Sequence, residues 1–448
     1  MRERTLPPTL RAGMILAALL TPFGSTSIAV ALPGIGHELG AARAELNLWL
    51  VVSYLLVAIA GQGPGGRLGD RITHERALLA GLGLHAAGAL LGWTAGGLMG
   101  LAAARILAAA GGAVVVPAAM ALVRTGVPEG RRARTFGLLG GALGLAAAIG
   151  PPAGARLVEA FGWRSLFAFN LPWIAAAAAL VAGPAWKAIH LEPGESKKRR
   201  ADLVGTLLLA AGLAPIVVAI TPAIGFGTGA MAALLAGTVL LGLFVAWERR
   251  AAQPVFDFDL FRRPAFTAGS GVIALQNLAM YGILFLLPAS AAAAARSTSG
   301  SRAGGAETLL FAMLGGLVIG PPIGGRLVER EGARMTALCG SFLTVVGLLI
   351  ARGLDPGGAL PEALAGLFLI GLGLGIASAP AQASAMDAAA AGSAGTAAGT
   401  LSTMRYLGGL AGIAIINAVP GAPALQHAWL AATGTAALLS LRLPGRAA

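Results

Sequence analysis

Apolar runs of helix length follow one another along almost the whole chain, separated by short segments rich in charges, glycine or proline. A helix that crosses a bilayer needs about 20 mostly apolar residues, because the hydrocarbon core is about 30 Å thick. The pattern predicts an all-α polytopic membrane protein with fourteen spans. The predicted spans cover approximately residues 13–34, 47–66, 77–96, 98–123, 135–157, 166–185, 203–222, 230–247, 265–288, 306–326, 335–352, 361–385, 395–418 and 424–441.

The composition excludes an ordinary soluble protein. Hydrophobic residues make up 56% of the chain and charged residues only 11%, whereas soluble proteins have about 45–50% and about 25%. The single cysteine, Cys339, lies in an apolar run and is expected to pack there, so an intramolecular disulfide or a cysteine metal cluster is excluded. The five histidines are scattered, and we expect no metal site and no cofactor.

The net charge of +13 could indicate a nucleic-acid partner, but its distribution argues otherwise. Most basic residues fall in alternate loops, on the side where the N-terminus would lie, so the positive-inside rule predicts that both termini are cytoplasmic. The basic run at residues 197–200 then becomes a cytoplasmic anchor near anionic lipid. We expect the bilayer, and no nucleic acid, as the partner of these charges.

A charged turn at residues 65–79 separates spans two and three. Gly66 and Gly69 would let helices approach closely, and Asp70 could face a helix N-terminus, which carries partial positive charge. The segment Gly325–Arg330 repeats the pattern of Gly66–Arg71 before a later turn. This repeat predicts two matched six-helix bundles, residues 1–186 and 265–448, with spans seven and eight inserted in a linker at residues 187–264.

Gly66, Leu68, Asp70 and Arg71 resemble motif A of the major facilitator superfamily. The span count and the insertion are similar to the fourteen-span drug:proton antiporter branch of that superfamily. The resemblance implies the major facilitator fold and a cytoplasmic gate formed by Gly66, Leu68, Gly69, Asp70 and Arg71. We expect Asp70 and Arg71 to hold this gate shut against the second half, near the start of span thirteen. The alternative is a solvated loop that only sets orientation.

Arg105 stands inside span four. Burial of a guanidinium is costly unless it faces a partner or a wet cavity, so the position is a candidate functional site. Its surroundings resemble motif B, which implies a role in proton coupling or substrate binding. The alternative is an arginine that extends to the headgroups.

Gly150, Pro151 and Gly154 lie in span five. Proline removes a backbone hydrogen bond and glycine permits close crossing, so these residues predict a kinked, closely packed helix. The segment resembles motif C, which implies export. Ordinary helix packing would also use these residues.

Four polar residues in the second half could border a central cavity: Gln276, Asn277, Tyr281 and Arg405. The amides could instead serve only as hydrogen bonds between helices. His85 in span three is expected to be a packed residue rather than a proton relay.

The chain departs from the family pattern in its acids, all of which fall in loops or at span ends. Where the family commonly carries an aspartate in span one, this chain has Gly24. The candidates left for proton coupling are Asp70, Glu307 or an acid on the substrate itself.

The sequence therefore predicts a monomeric secondary transporter of the inner membrane that exports small amphipathic or hydrophobic compounds by alternating access, with protons as possible coupling ions. An uncoupled facilitator or a transport-inactive sensor on the same scaffold are the alternatives. A membrane enzyme is disfavoured, because the chain has no P-loop, no His-Glu-x-x-His and no Gly-x-Ser-x-Gly motif.

Overall fold

The computed structural model describes residues 6–187, 202–219, 228–251, 254–297, 303–351, 360–418 and 422–445. This part of the chain is almost entirely helical and contains no β-strand. The α-helices are α1 Pro8–Leu39, α2 Arg43–Leu46, α3 Ser53–Ala60, α4 Gln62–Ile72, α5 His74–Thr94, α6 Leu98–Gly126, α7 Glu129–Phe161, α8 Ser165–Ala168, α9 Asn170–Lys187, α10 Leu203–Ala219, α11 Thr228–Glu248, α12 Pro264–Ser297, α13 Ala303–Ile350, α14 Leu360–Asp387, α15 Ala394–Ala418 and α16 Ala422–Ser440.

Each apolar run singled out in the sequence coincides with helix in the described residues. Nine helices within those ranges are long and apolar enough to cross a membrane; the count of fourteen spans stays a prediction. The basic run at residues 197–200 lies outside the described residues, as does the side chain of Glu307.

Contacts between helices divide the chain into two compact units. Helices α7 and α15 each contribute one part to each unit, so the units do not follow chain order. The predicted limits 1–186, 187–264 and 265–448 follow chain order and stay a prediction. The first unit comprises Met1–Val127, Ile149–Phe258 and Ala390–Thr403, and the second comprises Pro128–Ala148, Asp259–Ala389 and Met404–Ala448.

The second predicted span is a succession of helical segments rather than one regular helix. A π-helical stretch at Asn47–Val52 leads into α3, and α4 follows after Gly61. The charged segment expected to be a turn is helical as far as Ile72, so the motif A-like residues lie on one helix. A spacing of four residues places Gln62, Gly66 and Asp70 on one face of α4.

The turn itself is a single residue, Thr73, with φ 84° and ψ 150°. This backbone region is essentially restricted to glycine, because a Cβ clashes there. In α13 the same turn is made by Gly332, with φ 80° and ψ 166°. Gly332 follows Gly325 by seven residues, as Thr73 follows Gly66. The internal repeat therefore extends to the backbone conformation of the turn.

Small residues bring the helices of the second unit together. A Cβ at Gly371 would overlap the carbonyl oxygen of Met313, and one at Gly373 would overlap that of Gly340. These are packing glycines, since in a membrane close approach of backbones replaces hydrophobic association. Cys339 does not pack among them: its side chain is exposed, and the expectation of a packing role is wrong.

Candidate functional site

The carboxylate of Asp70 is bound at the N-terminus of α15. Its Oδ1 accepts the backbone N–H of Gly395 at 2.7 Å, and its Oδ2 accepts the backbone N–H and the hydroxyl of Thr396, both at 2.8 Å. The first N–H groups of a helix have no partner within the helix and carry partial positive charge. An ionised carboxylate that is 5% exposed satisfies them through charge-assisted bonds.

Glycine makes this approach of α4 and α15 possible. A Cβ at Gly66 would overlap the carbonyl oxygen of Gly395, and one at Gly399 would overlap the carbonyl oxygen of Gln62. Gln62, Gly66 and Asp70 therefore form the face of α4 that meets Gly395 and Gly399 on α15. This contact surface is called the first latch below.

The remaining motif A-like residues face away from the first latch. Leu68 and Arg71 line a cavity of about 280 Å³, together with Asp202 and Val255. Gly69 leaves room for the ring of His74 at the start of α5, which a Cβ would contact. The imidazole Nε2 of His74 lies 3.8 Å from Oδ1 of Asp70. These residues support the helix that carries Asp70 rather than contact α15.

The connector after α11 also packs on this helix. Glu248 is 1% exposed and accepts the backbone N–H groups of Val255 and Phe256 at 2.8 and 2.9 Å. Val255 in turn lies against Gly63, where a Cβ would collide with it. The acid at the end of α11 thus holds the connector on the first turn of α4.

The repeat of motif A in α13 meets its neighbour differently. A Cβ at Gly325 would overlap the carbonyl oxygen of Ala133 near the start of α7, so the close approach is repeated. Glu329, at the position equivalent to Asp70, is exposed. An ion pair joins the two helix ends α7 and α14 instead, with Nη1 of Arg132 2.5 Å from Oδ1 of Asp387. The surface formed by Gly325, Ala133, Arg132 and Asp387 is called the second latch below.

Arg105 is 4% exposed, and the protein surrounds its guanidinium with neutral groups. Its Nε donates to the carbonyl oxygen of Leu50 at 3.0 Å, and its Nη1 donates to that of Gly24 at 2.9 Å. The guanidinium carbon lies 4.0 Å from the ring centroid of Tyr54, a cation–π arrangement. The side chain is therefore held inside the first unit and does not extend outward to headgroups.

The motif C-like glycines pack α7 against α1. A Cβ at Gly150 would overlap the hydroxyl of Thr26, and one at Gly154 would press on Ser27. Pro151 lies within α7 and is half-buried. These residues shape the contact of the second part of α7 with the helix that also carries Gly24.

The four polar residues of the second half are only partly brought together. The side-chain amide of Asn277 donates to the carbonyl oxygen of Ile273 in its own helix at 2.8 Å, which favours a structural role. Gln276 is buried. Tyr281 packs on Gly409, one turn after Arg405 on α15, so Tyr281 and Arg405 lie at neighbouring levels of the α12 and α15 contact.

A family model described as Major Facilitator Superfamily matches residues 14–413 of this sequence. The chain belongs to the Major Facilitator Superfamily. It is therefore a multi-pass membrane transporter for small molecules and not an enzyme. Within the described ranges, no group of three or more histidine, cysteine, aspartate or glutamate side chains could hold a metal ion.

Several relatives in the superfamily align over most of the chain. The chain is 30% identical over 413 residues to the uncharacterized MFS-type transporter YvkA of Bacillus subtilis, covering 91% of this chain and 89% of the relative. It is 30% identical to the multidrug resistance protein Stp of Mycobacterium tuberculosis, with 90% and 73% covered. It is 28% identical to the tetracenomycin C resistance and export protein of Streptomyces glaucescens, with 92% and 75% covered.

The solved structure of the human organic anion transporter MFSD10 has the same fold. It superposes with a TM-score of 0.69, covering 97% of this chain and 100% of that chain, at 17% sequence identity. At this identity the likeness concerns the fold alone, since one fold serves many cargoes.

Three contributors to the sites were not named individually from the sequence of this superfamily member. Gly395 and Thr396 receive Asp70 at the start of span thirteen, where the gate was expected to close, and the glycine spacing Gly395–Gly399 was a usable signal for them, because it repeats the small-residue spacing of close helix pairs. Glu248 gave no comparable signal: only the folded connector shows that its carboxylate holds two backbone N–H groups.

Proposed function

We propose that this transporter exports small amphipathic or hydrophobic compounds across the inner membrane by alternating access, as a member of the fourteen-span drug:proton antiporter branch. Both termini are cytoplasmic in this proposal, and the protein works as a monomer. Relatives named for multidrug resistance and for the resistance and export of tetracenomycin C support export. The motif C-like packing of Gly150 and Gly154 on α1 is in keeping with it.

The observation that carries the proposal is the first latch. A carboxylate on α4 binds the N-terminus of α15, a helix 325 residues further along the chain, through bonds that a small sliding movement would break. Such a contact can exist in one state of a transporter and be absent in another, which alternation between two states requires. In the proposal Asp70 closes the cytoplasmic side, Gly66 permits the contact, and Leu68, Gly69 and Arg71 support the helix.

Proton coupling is the finer part of the proposal, with Arg105 as the residue that senses a proton or a bound substrate. The position of the common family aspartate is Gly24, and its carbonyl oxygen accepts a bond from Arg105. This observation supports a second candidate, an uncoupled facilitator or a transport-inactive sensor, beside the proton-coupled exporter.

Transport by purified protein in proteoliposomes with an imposed pH gradient tests these alternatives. The compounds are a lipophilic cation, a neutral drug and an organic anion, and the controls are empty liposomes and Asp70→Asn. Export coupled to protons predicts flux that depends on the gradient and is abolished by a protonophore. Saturable flux without that dependence indicates a facilitator, and no flux for any compound class contradicts export.

A further inference from the structure

A cavity of about 30 Å³ surrounds the guanidinium of Arg105 in the first unit. Its walls come from α1, α3, α5, α6, α8 and α9. The polar residues among its lining are Ser27, Tyr54, His85, Arg105 and Asn170, and none of the described residues that line it is acidic. The cavity therefore has a positive group and no carboxylate of its own.

The partners of Arg105 do not neutralise its charge. Both of its hydrogen bonds described above end on backbone carbonyl oxygens, and Tyr54 offers a neutral ring. Burial of a charge among neutral dipoles is unfavourable compared with burial beside an opposite charge. An anion in the cavity would supply that opposite charge, and guanidinium geometry suits the two oxygens of a carboxylate.

The cavity has room for such a group at Gly24. Gly24 is half-buried on α1 and lines the cavity, and a Cβ built on it would meet no heavy atom within 4 Å. A buried water needs about 10–15 Å³ of such space, so the cavity holds about two waters. That is the space taken by the two oxygens of a carboxylate.

His85 supplies a second polar group to the same site. Its side chain is 6% exposed, and its Nδ1 is buried with no hydrogen-bond partner in the described structure. Native proteins rarely leave such an atom unsatisfied unless a ligand, ion or water completes it. The imidazole ring lines the cavity with Arg105, while its Nδ1 lies close to Gly111 on α6.

We propose that this cavity binds the carboxylate of an amphipathic organic anion, and that such monoanions are a substrate class of the transporter. The inference rests on the proposed export function and adds the charge of the cargo to it. Gly24 is the residue that sets this charge preference, because the absence of a side chain there leaves the space that the carboxylate of the substrate fills.

Three probes with the same ring and different charge test the site: 1-naphthoate, 1-naphthalenemethanol and 1-naphthylmethylammonium. Binding to the purified full-length protein is measured by calorimetry and by the shift in its unfolding temperature. Naphthoate is expected to bind at least tenfold more tightly than the alcohol, and the ammonium probe more weakly than either. Equal binding of the three probes would overturn the proposal.

Substitutions at Gly24 separate charge from volume. Gly24→Asp adds a carboxylate to the residue that accepts a bond from Arg105. It is expected to weaken the binding of naphthoate at least tenfold and to strengthen the binding of the ammonium probe relative to that of naphthoate. Gly24→Asn fills the same volume without charge, so it should weaken the binding of naphthoate without strengthening that of the ammonium probe. Gly34→Asp is the matched control, because Gly34 lies on the same helix and also has open space at its Cβ, but does not line the cavity. A loss of naphthoate binding in Gly34→Asp equal to that in Gly24→Asp would contradict the proposal.

Two further arms identify the source of any effect. Sodium chloride alone tests an inorganic ion: stabilisation by chloride with no preference for naphthoate over the alcohol would overturn the proposal.

Vesicle transport of the same probes separates the anion site from the proposed export function. Transport of the alcohol or the ammonium probe, without preferential binding of naphthoate, would leave export standing and refute the anion site. Binding of naphthoate that depends on Gly24, without transport of any probe, would support the site and refute export.

Discussion

The two latches have the same backbone plan and different chemistry. In both, a glycine of the repeated segment, Gly66 or Gly325, touches the backbone of a helix start. In the first latch the acid that follows is buried on the N-terminus of α15, whereas its equivalent in the second, Glu329, is exposed. The comparison teaches that the repeated pattern specifies close approach, while the electrostatic bond depends on which partner each helix meets.

The turns that follow Gly66 and Gly325 also differ, and here the first latch has the less favourable residue. Gly332 suits the positive φ of its turn, whereas Thr73 carries a branched side chain in a conformation that favours glycine. Thr73 also leaves its hydroxyl buried without a hydrogen-bond partner. The first latch thus combines the stronger polar contact with the more strained turn, as strain tends to persist where surrounding contacts hold it in place.

The largest effect is expected from the latch glycines. Gly66→Val would drive a branched side chain into the carbonyl oxygen of Gly395, so closure of the first latch should be blocked and transport lost. Gly325→Val should be somewhat less severe, because a Cβ at Gly325 would overlap the carbonyl oxygen of Ala133 less closely. Flux in vesicles measures both, and Gly34→Val is the control, since its Cβ would face open space. Normal transport by a well-expressed Gly66→Val would show that the latch need not close.

The acids should then separate the two latches. Asp70→Asn keeps the shape of the side chain but loses charge-assisted bonds worth about 1.5–3 kcal/mol each. The closed state should therefore be destabilised by at least about 2 kcal/mol relative to the open state, which lowers its population ratio roughly 30-fold. Glu329→Gln removes an exposed charge, and its transport should stay within about twofold of wild type because exposed charges contribute little. Equal loss of transport in both variants would refute the asymmetry.

Exchange of the turn residues tests the strain. Thr73→Gly relieves a conformation that costs about 1–3 kcal/mol and should raise the thermal stability of the purified protein. Gly332→Thr should lower it by a similar amount. Thermal unfolding in detergent measures both variants, and the double exchange should be close to neutral. A destabilised Thr73→Gly would mean that the threonine side chain makes a favourable contact that outweighs the strain.

The smallest effect is expected from the ion pair of the second latch. Arg132 and Asp387 are 13% and 27% exposed, so removing either should cost about 1 kcal/mol, more than a fully exposed pair. The control is Arg262→Ala, whose partner Asp259 lies 3.4 Å away with both side chains more than 80% exposed. Thermal unfolding compares Arg132→Ala with this control, and equal shifts would show that the second latch gains nothing from its ion pair.

The sequence predicted the helices well because apolar runs of membrane length leave little freedom, and it located the repeat because Gly66–Arg71 and Gly325–Arg330 share their spacing. It could not predict the partners of Arg105. Arg105 bonds to carbonyl oxygens 55 and 81 residues away, and backbone carbonyls carry no sequence signal. The sequence also could not show that the side-chain amide of Asn277, a candidate for the cavity, donates to a carbonyl oxygen of its own helix. His85, expected to be only packed, lies in the cavity of Arg105.

The central claim is that Asp70 holds α4 against the start of α15 in one of two states of the transporter. The most direct test is the distance between spin labels at Arg76 and Ala390, measured by pulsed electron paramagnetic resonance in a Cys339→Ala background. Wild type should show a short-distance population, Asp70→Asn should shift it to longer distances, and Glu329→Gln should leave it unchanged. An identical distance distribution in Asp70→Asn and wild type would contradict the account.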